Sequence, residues 1–393
     1  MNNTYFIIDD IKYIIAYDNN QLKIKKMENN LLYELTETEK GEINRLISHK
    51  TGYIYYSEKV INIVNNNPNL FLNNDQHAKE QLINLLNWLE DHIPIEHRQT
   101  FYDNLSTLTL MHNFNLISSD YFVSHDSHFS QSNNLDISIG GYNSKTNNIE
   151  ISPQGLWHLW KVAQTTDNPN EYYFRQYMQT LLHELIHMSS TKFNKEGGIA
   201  LSGFDKYPSQ DIKEQNVGLN EGYTELIAMA GVPGTEDIVS PYFIECALIN
   251  QLIQIIGIDA LQESYFGNKG TELLESELCK LINDKEKAFE LFRSIEVNYQ
   301  LGNGSEKQNI LGNIQLTMLD YLEKKLEILS VQGKDGEINK IIYFFENMIV
   351  TPRTLQAMGR DANIYEGVTD SIIKLDEIKG KYGKQLDNNS ISR

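Results

Sequence analysis

Residues 171–190 read EYYFRQYMQTLLHELIHMSS. Phe174, Tyr177, Met178, Leu181, Leu182, Leu185 and Met188 recur at spacings of three and four, the signature of a helix with a broad apolar face. Within it, His183 and His187 stand four apart and so project from one face, a turn from each other. Two imidazoles placed this way can share one tetrahedral Zn²⁺ at about 2.0–2.1 Å. Glu184 sits beside the first of them, where its carboxylate can reach a zinc-activated water without ligating the metal. Zinc brings such a water toward neutrality, and the carboxylate can take its proton as the oxygen attacks a carbonyl. The same five residues would also suit two surface histidines on an amphipathic helix. The apolar neighbours Leu185, Ile186 and Met188 argue for a buried helix instead.

Downstream, Gly218-Leu219-Asn220-Glu221-Gly222-Tyr223-Thr224-Glu225 carries two carboxylates four apart, again on one helical face. If Glu221 completes a His, His, Glu set, Glu225 lies one turn on and can hydrogen-bond the far nitrogen of a ligating histidine, fixing its tautomer. An acidic helix start facing solvent has the same pattern, since the macrodipole favours it.

Together, His183-Glu184-Leu185-Ile186-His187 and Asn220-Glu221-Gly222-Tyr223-Thr224-Glu225 resemble the gluzincin zinc metallopeptidases, the thermolysin-like group. The resemblance covers roughly residues 135–235. It implies that Glu221 is the third zinc ligand, that Glu225 supports a histidine ligand and that Asn220 braces the site. It implies Zn²⁺ as cofactor, a peptide or protein substrate, and an edge strand from within 135–151 that pairs with extended substrate backbone. Two features depart from the pattern. The segment 188–220 is longer than in thermolysin. All 10 histidines lie at or before His187, so no downstream histidine can stabilise an oxyanion. Tyr223, Tyr242, Tyr265 and Arg293 are candidates for that role, with Tyr223 and Tyr265 placed beside Glu184 in the catalytic set. Alternative readings are a protease restricted to a single target, an aminopeptidase lacking a clear upstream acidic anchor, and a binding module whose metal only holds the fold. A purely structural site has no use for Glu184.

Around this centre the fold class expected is α+β: a zincin-like catalytic domain, a small mixed sheet with an active-site helix, then a mainly helical C-terminal part. The divisions expected are an N-terminal β-containing segment (1–70), a catalytic region (75–235) and a helical subdomain (236–393). Lys12–Tyr17 and Gln21–Met27 read as strands about a turn at Asp18-Asn19-Asn20. Thr36 and Glu39 form a capping-box pattern ahead of a helix. Helices are expected over 77–92 and 95–111, with irregular chain over 113–136. Strands are expected over 135–139 and 149–151, a turn being bracketed by Gly140-Gly141 and Asn147-Asn148. Ser152 reads as an N-cap before Pro153, and 189–218 as a loop. The helices expected further on are 242–256, 272–282, 285–295, 314–329 and 338–349.

Composition bounds the rest. The chain has 393 residues, 40% hydrophobic and 22% charged, which suits an ordinary globular protein. Its net charge of -19 argues against nucleic-acid or anionic-membrane binding, which need clustered Lys and Arg. Two cysteines, Cys246 and Cys279, make no disulfide framework and point to a reducing compartment, one optional bridge aside. The N-terminus lacks a basic, then apolar, signal pattern, so the expectation is cytoplasmic residence or export without a cleavable signal. No window reaches the ~20 apolar residues of a membrane span. His125-x-x-His128, beside Asp126, is a weaker candidate for a second metal site.

Overall fold

At the N-terminus, alternating β-formers pair as an antiparallel meander. β1 (Thr4–Ile8), β2 (Ile11–Asp18), β3 (Gln21–Glu28) and β4 (Leu31–Glu34) lie in sequence order, and the β2–β3 register closes at Asp18↔Gln21, as the turn residues there suggest. The computed structural model describes residues 4–8, 11–18, 21–28, 31–34, 57–70, 76–111, 119–130, 139–209, 212–214, 216–232, 240–301, 305–348 and 369–383. The helix expected after Thr36, and the strand expected over 135–139 apart from Ile139, lie outside them. The chain divides into two compact units, Met1–Asn62 and Ile63–Arg393, so the expected regions 75–235 and 236–393 both fall within the second.

The next elements are α1 (Glu58–Asn66), α2 (Gln76–His92), α3 (Arg98–Thr107), β5 (Thr109–Met111), α4 (Ser119–Ser130), β6 (Gly140–Asn143), β7 (Asn148–Ile151), α5 (Pro153–Ala163) and α6 (Pro169–Ser190). Two expectations need correction here. The helix over 95–111 is a short 3₁₀ turn, then α3, then strand β5. The irregular stretch 113–136 contains α4, whose apolar residues Phe122 and Phe129 are buried while polar ones face solvent. The turn expected between Gly140-Gly141 and Asn147-Asn148 is present at 144–147, with both glycines in β6.

β5, β7 and β6 form a three-stranded sheet in that order, with β5 parallel and β6 antiparallel to β7, so β6 is its edge. Beneath it runs α6. Pro169 opens that helix, because its missing N–H costs nothing in a first turn. Leu181, Leu182, Leu185, Ile186 and Met188 are at most 1% exposed, packed among α3, α5 and the helices that follow. Each such side chain contributes about 1.5–3 kcal/mol by leaving water. β6 approaches α6 at Gly140, where a Cβ would lie 2.9 Å from Thr180 and 3.4 Å from Glu184. Only a glycine lets the strand come that close.

The expected loop 189–218 also needs correction. It folds as an antiparallel sheet, β8 (Thr191–Phe193), β9 (Ile199–Ser202), β10 (Asp205–Ser209) and β11 (Ile212–Glu214). Strands of three to five residues are too short for period-2 alternation to register in sequence. α7 (Val217–Gly231) follows, then α8 (Phe243–Ile256) and α9 (Ile258–Phe266), which was not expected. Gly257 separates α8 from α9 in a left-handed conformation, φ 92°, bending the pair by 115°. α10 (Glu272–Leu281), α11 (Lys285–Gln300), α12 (Ser305–Val331), α13 (Asp335–Met348) and α14 (Thr369–Tyr382) complete the helical half.

α7 is the link between halves, packed on α6 on one side and on α8 and α11 on the others. Buried Gln251 of α8 and Gln315 of α12 join their amides reciprocally at 3.1 Å, so neither is left unpaired in the core. The architecture is therefore α+β. Among the described residues no single helix is long and apolar enough to cross a membrane. Cys246 and Cys279 are free thiols.

Candidate metal centre

α6 and α7 cross so that His183, His187 and Glu221 converge, their ligand atoms all within 4.8 Å of one another. His183 Nε2 is 3.1 Å from His187 Nε2 and 3.1 Å from Glu221 Oε2, and His187 Nε2 is 3.7 Å from Glu221 Oε1. Ligands at about 2.05 Å around a tetrahedral zinc stand about 3.3 Å apart. The three separations bracket that value, and the donors are the nitrogens and carboxylate that zinc takes. The residues fit the ion.

Behind them, Glu225 Oε2 accepts from His183 Nδ1 at 2.9 Å. This leaves Nε2 as the nitrogen turned toward His187 and Glu221. Gln179, one turn before His183, donates to the other oxygen of Glu225 at 2.8 Å. Glu184 is buried, and β6 reaches it through the Tyr142 amide, which donates to its carboxylate. Burial foremost, and the Glu221 charge, raise the Glu184 pKa against the pull of both histidines. A carboxylate held up in this way is suited to taking a proton. For His183, burial opposes charge, yet the Glu221 and Glu225 hydrogen bonds and the Glu184 charge prevail and raise its pKa to about 10. Glu221 is held far below the usual carboxylate range: burial works against this, and the charge and hydrogen bonds of His187 and His183 outweigh it. The site is thus an acidic cluster that stabilises positive charge at its centre, whether a proton or a cation.

Asn220 acts one step removed. Its amide donates to Ser202 O at 3.1 Å and accepts from Phe204 N at 2.7 Å, so it anchors the β9–β10 turn to the start of α7. That turn needs Gly203, at φ +58°, where a Cβ would collide with the Asn220 side chain. The other end of the support is Glu296 of α11, which accepts from the Gly218 amide at 3.1 Å and holds the first turn of α7 in place.

The structure does not bring Tyr223 or Tyr265 to the triad. Both are sealed in the core at 1% and 0% exposure, their rings 4.7 Å apart. Tyr265 bonds Thr224 at 2.7 Å through its hydroxyl. Residues two apart on a helix do not share a face, so the position of Tyr223 relative to Glu221 already excluded it. Arg293 is exposed and paired with Glu290. The tyrosine at the centre is Tyr242. Its ring stacks on His183 at 5.6 Å and 20°, and its hydroxyl donates to Glu221. Burial and the Glu221 charge keep that hydroxyl protonated. No local sequence pattern ties Tyr242 to His183. Tyr299 stands nearby, pushed up to about 12 by burial and the carboxylates of Glu221, Glu245 and Glu296.

His125 and His128 do not converge on an ion-sized space. His125 stacks on Tyr121, and Asp126 is engaged by Trp157 at 2.8 Å and by Lys161. Among the described residues, the other converging group is Glu96, His97 and Glu263. There His97 bonds Glu263 at 2.8 Å, tying the turn before α3 to helix α9. A groove of about 700 Å³ follows β6, lined by Gly140, Gly141, Tyr142, Lys145 and Glu150 among others.

Comparison with protein-family models, curated proteins and solved structures finds no match for this chain.

Proposed function

We propose that this chain is a zinc-dependent peptidase of the gluzincin type, with a zincin-like catalytic core spanning β6 to α7. The carrying observation is the triad itself: His183, His187 and Glu221 at tetrahedral spacing, with buried Glu184 alongside and Glu225 on the far nitrogen of His183. Zinc, when bound, supplies a Lewis acid that polarises a carbonyl and acidifies water.

The chain's own residues do the rest. An extended substrate lies along the edge strand β6, its backbone adding to the sheet, in the groove that Gly140 opens over α6. Glu184 accepts a proton from the attacking water and delivers it to the amine as the C–N bond breaks. Tyr242 replaces Tyr223 and Tyr265 as the hydroxyl that donates to the oxyanion developing on the carbonyl oxygen.

The test is Glu184→Gln. Its hydrolysis of peptides from a proteome digest is expected to fall by about 100-fold or more, with zinc content unchanged. A digest is used so that a narrowly selective protease is not missed. Full activity in zinc-loaded E184Q would overturn the reading. A zinc-loaded parent that cleaves nothing in the digest would favour a binding module.

A further inference from the structure

Gln179 is a buried amide on the helix that carries both histidines. It is 5% exposed, one turn before His183 on the same face of α6. Its Nε2 donates to Glu225 Oε1 at 2.8 Å, while Glu225 Oε2 takes His183 Nδ1 at 2.9 Å. Both oxygens of one carboxylate on α7 are therefore held by two side chains of α6, a turn apart. The amide's orientation is fixed as well: Gln176 Nε2 donates to Gln179 Oε1 at 3.4 Å, which turns the N–H end toward the carboxylate.

We infer that Gln179 is a positioning residue of the metal centre, locking Glu225 so that His183 Nε2 faces Glu221, and so setting the affinity for zinc. The inference rests on the metal-binding reading of the triad. A carboxylate with one partner can rotate about its last bond. A second donor removes that freedom, and leaving Glu225 Oε1 buried and unpaired would drive the group to turn away from His183. The orientation of the imidazole follows from the orientation of the carboxylate.

The experiment measures the zinc dissociation constant of the full chain by competition with a chromophoric chelator. Q179L is the first variant. Q179M, which keeps side-chain length without the donor, is the second, and thermal melts of both check folding. Each is expected to bind one zinc about 10- to 100-fold more weakly than the parent. In an E225A background, Q179L is expected to add nothing, because Gln179 acts only through Glu225. Parent-like affinity in the folded variants, or a Q179L penalty that persists in full in E225A, overturns the inference and leaves the zinc site standing. A parent that takes up no zinc overturns the site, and the inference with it.

Discussion

Tyr242 offers both a ring and a hydroxyl to the triad, and the two can be separated. Tyr242→Phe keeps the stacking on His183 and removes only the hydroxyl that reaches Glu221. If that hydroxyl meets the oxyanion, kcat should fall by about 100-fold, with KM and zinc affinity nearly unchanged. Steady-state kinetics at saturating zinc check this; weaker zinc binding with intact kcat would show that the hydroxyl only holds Glu221. At this scale the sequence was most legible where chemistry follows helical spacing. His183 with His187, and Glu221 with Glu225, each stand four apart, so one turn of helix dictates their alignment. Gln179 obeys the same spacing to His183, a signal present in the sequence and left unused. Tyr242 has no such tie. It reaches the site because α8 packs on α7, and that is tertiary information.

Elements show the same division. The long apolar periodicity of α6 announced a buried helix, and the start of α5 was readable from Ser152 and Pro153. The β8–β11 sheet was not, because its strands are too short to alternate visibly and glycines punctuate them. α4 hid in polar composition. What joins β9 to β10 is nonetheless demanding. Gly203 sits at φ +58° with Asn220 and Tyr265 against it. Gly203→Ala would bring left-handed strain of about 1–2 kcal/mol, together with a collision. The chain should lose about 2 kcal/mol or more of stability in denaturant unfolding. Zinc affinity should fall alongside it, since Asn220 precedes Glu221. Parent-like stability would show that the turn is not held as described.

For the whole molecule, the proposed metal centre lies within the second compact unit. His183 and His187 come from its middle, Glu221 from α7, and the clamp on the Gly218 amide from Glu296 of α11. A chain beginning at Ser57 should therefore fold and bind one zinc, as metal analysis after gel filtration would check. Loss of zinc uptake in that folded fragment would mean that the first unit contributes to the centre. The division into units was only partly legible, because nothing in the composition at residues 62–63 marks it, whereas the mainly helical character of the C-terminal half was plain from its periodicity. The anchoring of the β9–β10 turn by Asn220 has a consequence for recognising kin of this chain. One amide fixes how the excursion between the two motifs returns to α7, so insertions and deletions within that excursion can leave the ligand geometry untouched. A search pattern for relatives should let the gap float, and demand the asparagine.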